Sequence, residues 1–124
     1  MCVTATPGFV AGGITCGIKP SGAPDLALVA TADGSAVTAA GVFTSNKMTA
    51  APVLVCREHL ATTGGRAAAV ILNSGNANAA TGDPGRLDAL AICDSVADTL
   101  DISADSVAPF STGVIGERRN ERFA

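Results

Sequence analysis

This sequence predicts a layered α/β domain, a sheet covered by helix around a core of small aliphatic side chains. Hydrophobic residues make up 48% of the chain but aromatic residues only 3%, with no Trp or Tyr, so Ala, Val, Leu and Ile must fill the interior. Short β-like runs alternate with turn residues over the first two thirds of the chain, and one long apolar stripe at helical spacing follows them. At 124 residues the chain is one domain's length, enough to bury roughly two thirds of its unfolded surface around one core.

Residues 9–18 are glycine-rich and β-like, and Lys19-Pro20-Ser21-Gly22 reads as the loop that ends them. Residues 26–31 form a short apolar strand, Asp33-Gly34-Ser35 a turn, and residues 36–44 a returning strand carrying Val37, Val42 and Phe43. A β-hairpin is the economical expectation. Pro52 then precedes Val53-Leu54-Val55-Cys56, expected as a strand because proline is tolerated where a strand begins, and Arg57-Glu58-His59-Leu60 opens a short helix before Gly64-Gly65. The Ala-Ala-Ala-Val-Ile-Leu run at 67–72 is the strongest strand signal.

Asp83-Pro84 predicts a helix start, an N-cap followed by proline at a position whose missing N–H costs nothing. Ala89, Ile92, Cys93, Val96, Ala97 and Leu100 then fall on one stripe, with Asp88, Asp94, Ser95, Asp98 and Asp101 largely off it. Such a helix covers a sheet with one face. Residues 107–110 read as a final strand.

The net charge is −3 and the basic residues are scattered up to Arg86, which argues against a nucleic-acid surface of clustered cations and stacking aromatics. Cys2, Cys16, Cys56 and Cys93 contain no Cys-x-x-Cys pair and share a single histidine, His59, so neither metal nor cofactor is expected. No charged-then-apolar segment opens the chain, so reduced, mostly buried thiols in a soluble cytoplasmic protein are the expectation. Gly, Asp, Pro or Lys interrupts every apolar stretch before it reaches the roughly 18 to 20 residues of a membrane helix.

Two segments stand apart. Asn73-Ser74-Gly75-Asn76-Ala77-Asn78 follows the strongest strand, and Ser111-Thr112-Gly113-Val114-Ile115-Gly116 follows the last one. Both read as specialised loops. Three amides around one glycine can brace the backbone or hold a polar ligand. Thr112 and Gly113 are an ordinary turn or a pair of donors for developing negative charge, a hydroxyl and an N–H unobstructed by Cβ.

In order along the chain, Gly8-Phe9, Gly17-Ile18-Lys19-Pro20-Ser21-Gly22, Asp25-Leu26-Ala27-Leu28-Val29, Ala40-Gly41-Val42-Phe43-Thr44 and Ala51-Pro52-Val53 resemble blocks of the ornithine acetyltransferases, the ArgJ family. The 73–78 segment with Thr81-Gly82, and the 111–116 segment, continue that resemblance over residues 7–116. It implies an αββα sandwich and acyl transfer from N-acetylornithine to glutamate, with acetyl-CoA as a possible second donor, in arginine biosynthesis. In this family the precursor cuts itself before a threonine, which becomes the N-terminal nucleophile of a second chain and uses its freed amine as base. The resemblance carries the family's oxyanion hole onto Thr112 and Gly113. It implies a complementary chain as partner, and a hetero-oligomer.

Other residues read more plainly. His59 lacks a neighbouring nucleophile pattern and is expected to cap or flank a surface helix. Ala5-Thr6, Ala61-Thr62 and Ala80-Thr81 mimic a cleavage pair outside its context, and Lys19 and Lys47 read as solvated. Residues 1–116 form the family-like portion. Residues 117–124 are a charged tail in place of the apolar, proline-containing continuation, expected as a truncated or frame-shifted end beyond which the nucleophile and its whole chain would lie. An inactive lone chain, a partner-binding remnant of the fold, and a related N-terminal-nucleophile aminopeptidase are the alternatives to an acetyltransferase part.

Overall fold

The computed structural model describes residues 3–118. Strands β1 (Phe9–Ile14), β2 (Leu26–Thr31) and β3 (Val37–Thr38) precede helix α1 (Ala51–Thr62); β4 (Arg66–Ala67), β5 (Ala69–Asn76), helix α2 (Gly82–Leu100) and β6 (Val107–Val114) follow. The main sheet has the order β1-β2-β5-β6, and β3 pairs only with β4. β1, β2 and β5 run antiparallel in turn, whereas β5 and β6 are parallel. A parallel pair needs a crossover, and α2 supplies it. The architecture is the mixed α/β one expected, with one helix layer on one sheet.

Alternation along the strands sorts the two faces. Leu26, Leu28 and Ala30 of β2, Ala69 and Ile71 of β5, and Val107 of β6 pack with Val55 of α1 and Ala89 and Cys93 of α2. Val55, Val107 and Cys93 are the largest fully buried side chains, and each valine stabilises the fold by roughly 1.5–3 kcal/mol. Two polar contacts tie both helices to the start of β6: His59 Nδ1–H donates to the Val107 carbonyl at 2.8 Å and the Cys93 thiol reaches the same oxygen at 3.8 Å. Cys56 and Cys93 are buried free thiols and Cys16 is half-buried, with burial pushing the Cys93 thiol up to about 12.

The other face, with Ala27, Val29, Val70 and Leu72, is apolar and open. Leu72 pairs across the sheet with Ala27 and with Phe110, yet Leu72 is 38% and Phe110 48% exposed.

Four sequence expectations are corrected. Residues 53–56 are not a strand but part of α1, where Pro52 sits in the first turn after the extended Ala50. A four-residue apolar run has no periodicity of its own, and Ala51, Val55 and Cys56 with His59 make a buried helical stripe. The 36–44 segment does not return along β2, because β1 and β5 already occupy both edges of that strand; only Val37 and Thr38 pair, with Ala67 and Arg66. β1 ends at Ile14 rather than Ile18, so the true hairpin is β1-β2. Helix α2 starts at Gly82, with Thr81 at the N-cap and Asp83 in the first turn. Its buried stripe of Ala89, Cys93 and Ala97 is as the spacing requires.

An uncovered apolar sheet face of this kind drives association. Sedimentation velocity on the isolated chain is expected to show concentration-dependent self-association, and a monodisperse monomer throughout would show that the face needs no cover.

Candidate functional site

The first four residues of each specialised segment are not loop but the ends of neighbouring parallel strands. β5 runs to Asn76 and β6 to Val114, and the register sets Asn73 beside Ser111, Ser74 beside Thr112 and Gly75 beside Gly113. The ladder then slips at Asn76, which faces both Thr112 and Val114. A bulge bends a strand and re-aims its side chains. Thr112 and Gly113 are exposed there.

Two glycines make the approach possible. Gly113 has φ +134°, and a Cβ on it would lie 2.3 Å from the Gly75 carbonyl carbon and 2.6 Å from Asn76 N. No real contact is that short, so β6 can lie against β5 here only without a side chain. Gly75, at φ +111°, is closed on its other side, where a Cβ would meet Ile18 Cγ2 at 2.8 Å and Lys19 Cγ at 3.2 Å.

The three asparagines are engaged with the protein itself. Asn73 Nδ2 donates to the Asn76 carbonyl at 2.8 Å, Asn76 Nδ2 to the Glu117 carbonyl at 2.7 Å, and Asn78 Nδ2 to the Gly85 carbonyl at 2.9 Å. Asn76 Oδ1 accepts from Asn78 N at 3.1 Å, and Asn78 Oδ1 accepts from the Thr81 hydroxyl at 2.7 Å. The Ser111 hydroxyl donates to the Ala77 carbonyl. Of the two uses open to this segment, bracing is the one these bonds serve: they tie β5, the first turn of α2 and the residues after β6 together.

Sequence reasoning missed Asp25. Its side chain lies in the turn between β1 and β2 with the residue only 3% exposed. Oδ1 accepts Cys16 N–H at 2.7 Å and Oδ2 accepts Lys19 N–H at 2.9 Å, while its own carbonyl accepts Ser74 N–H at 2.8 Å. Those two backbone donors hold the carboxyl down at about 2. The available signal was an acid placed after Pro24 at the mouth of an apolar strand, just beyond a glycine-rich loop.

The remaining residues fall elsewhere. His59 is a correction: it is 6% exposed rather than on a surface, bonded to Val107 at the far end of β6 from Thr112, with Nε2 3.7 Å from Asp105 Oδ1. Lys19 donates its ammonium to the Pro24 carbonyl at 3.0 Å, and Lys47 is exposed. Of the charged tail, Glu117 and Arg118 lie within the described residues: Arg118 meets both Asp88 carboxylate oxygens at 3.0 and 2.9 Å. The rest of the tail, like Cys2, lies outside them. A mainly apolar cavity of about 350 Å³ includes Ile71, Ile92, Val96 and Phe110 in its lining, with Asn73 and Ser111 from the strand ends. Among the described residues no cluster of His, Cys, Asp and Glu suits a metal ion, and no helix is long and apolar enough to cross a membrane.

Comparison with known proteins converges on one family. The family model described as the ArgJ family matches residues 10–122. The arginine biosynthesis bifunctional protein ArgJ of Streptomyces avermitilis is 54% identical over 116 residues, covering 94% of this chain and 30% of that protein. The chain thus spans about 30% of that relative's length. The crystal structure of arginine biosynthesis bifunctional protein ArgJ from Bacillus halodurans superposes with a TM-score of 0.90 at 40% identity, covering 97% of this chain and 61% of that one. The ornithine acetyltransferase of Mycobacterium tuberculosis, in complex with ornithine, superposes with a TM-score of 0.87 at 50% identity, over 94% and 61% respectively.

Gly113→Ala is expected to destabilise the chain by at least about 1–3 kcal/mol from the backbone conformation alone, with the 2.3 Å contact adding to it; denaturant unfolding measures the loss. Asp25 gives a pH signature. Its folded value of about 2 is below the ordinary 3.8, so its contribution is full above the unfolded value and disappears as pH falls through about 2. Asp25→Asn is therefore expected to lose stability at pH 7, with the gap to the parent closing between pH 4 and pH 2 in urea titrations; a gap of constant size would show that the charge is not what matters.

Proposed function

Because the chain belongs to the ArgJ family, we propose that it is the N-terminal part of an ornithine acetyltransferase, a glutamate N-acetyltransferase, and that it supplies the oxyanion-binding end of the site. The observation that carries this reading is the seating of β6 against β5 through Gly113 and Gly75, which leaves Thr112 and Gly113 exposed at a bulged strand end. The name of the Mycobacterium tuberculosis neighbour, an ornithine acetyltransferase complexed with ornithine, supports the substrate class.

On this reading a complementary chain contributes an N-terminal threonine, freed by self-cleavage. Its hydroxyl, deprotonated by its own amine, attacks the acetyl carbonyl of N-acetylornithine. The Thr112 hydroxyl and the Gly113 N–H then receive the negative charge that develops on the carbonyl oxygen, strengthening as the carbon becomes tetrahedral. Ornithine leaves, and the amine of glutamate takes the acetyl group from the threonine ester, so one difficult exchange becomes two easier ones. The buried, free state of Cys56 and Cys93 fits a reducing cytoplasm.

The test begins with the tagged chain purified gently from its native host and intact masses of everything that accompanies it. A companion beginning with threonine, together with acetyl transfer from N-acetylornithine to glutamate, is the expected result; the chain alone without transfer points to a non-catalytic remnant. In the active complex Thr112→Ala is expected to lower turnover roughly a hundred- to a thousandfold with an unchanged melting temperature. Unchanged turnover overturns the assignment.

A further inference from the structure

We propose that Asp25 is a positioning residue for the oxyanion-binding end of β6, acting through the loop between β1 and β2 and through Gly75; this rests on the role assigned above to Thr112 and Gly113. Three contacts in series connect them. The Asp25 carboxylate pins the loop by taking the backbone N–H groups of Cys16 and Lys19 at 2.7 and 2.9 Å. The loop so held sets Ile18 and the Lys19 stem beside Gly75, where an added Cβ would come within 2.8 Å of Ile18 Cγ2 and 3.2 Å of Lys19 Cγ. Gly75 in turn lies against Gly113, whose added Cβ would come within 2.3 Å of it.

Neither glycine contact leaves room for a side chain. Closely packed contacts transmit displacement; Ile18, on the first of them, is 5% exposed, and the second is backbone against backbone. A second tie runs directly along the strand, because the Asp25 carbonyl accepts the N–H of Ser74 at 2.8 Å, and Ser74 is the register partner of Thr112. Asp25 thus holds the β5 end from its main chain and its side chain at once. Its carboxylate suits the task because it is acceptor-only and ionised, so it can take two backbone donors together. Asparagine, of the same shape, must turn an NH2 toward one of them. A donor aimed at an oxyanion is useful only within a fraction of an ångström, so loosening the loop is expected to appear in turnover rather than in substrate binding.

The experiment uses two readouts. Amide nitrogen–proton spectra of the chain compare the parent with Asp25→Asn and with Ile18→Ala, which breaks the second contact while leaving the carboxylate in place. Both variants are expected to move the Gly75, Thr112 and Gly113 signals; if Asp25→Asn does not fold, Ile18→Ala alone decides whether the loop reaches β6. Changes confined to residues 14–26 overturn the proposal. In the active complex Asp25→Asn is expected to lower kcat roughly ten- to a hundredfold at unchanged KM, with most of that effect absent when Thr112 is already alanine. Full additivity of the two substitutions, or a change in KM alone, also overturns it. If Thr112→Ala leaves turnover intact while Asp25→Asn still shifts Gly113, the oxyanion assignment fails and the mechanical link from Asp25 stands.

Discussion

The contact between the backbones of Gly113 and Gly75 is the constraint on which the rest of this chain depends. Two parallel strands ordinarily run about 4.8 Å apart with side chains alternating above and below, and here their ends come together at a point where no side chain fits. Everything local follows from keeping that point closed. The slip in register at Asn76 bends the strand end, the amides of Asn73, Asn76 and Asn78 bond the carbonyls of Asn76, Glu117 and Gly85 and so tie that end to α2 and to the residues after β6, and the loop held by Asp25 closes the outer side of Gly75. Of the residues so used, Asp25 and Asn76 are the buried ones, where an unpaired polar group costs most.

At the opposite end of β6 the restraint is apolar. Val107 is buried against Val55, Cys93 and Ala89, and its carbonyl accepts from His59 and meets the Cys93 thiol. Both helices therefore grip the start of the strand whose other end carries Thr112 and Gly113. A core of alanine, valine and cysteine allows that grip: small side chains let two helices lie close on one sheet face, and aromatic side chains would hold them off.

The opposite sheet face bears on function as much as the covered one. Leu72 and Phe110 sit exposed on it, directly preceding the two motifs along their strands, so whatever covers this face also lies next to the strand ends. On the proposed reading the complementary chain does both, completing the sandwich and delivering the nucleophile to the same edge. Stability and catalysis would then share one interface.

By itself the sequence determined the layered α/β class, β2, the buried stripe of α2 and the ordered blocks that carry the family likeness, the 73–78 and 111–116 motifs among them, because each is a local property: a run, a period or a block of residues. His59, residues 53–56 and residues 36–44 were misread for the converse reason. Burial of His59 depends on a carbonyl 48 residues away, a short apolar run takes its conformation from what packs on it, and a hairpin cannot form along a strand whose edges are both taken. Only the tertiary structure set the 73–78 and 111–116 segments side by side in register and put Asp25 behind them. Parallel pairing joins residues far apart in the chain, and an acid after Pro24 at the mouth of an apolar strand does not say which backbone N–H groups its carboxylate will accept.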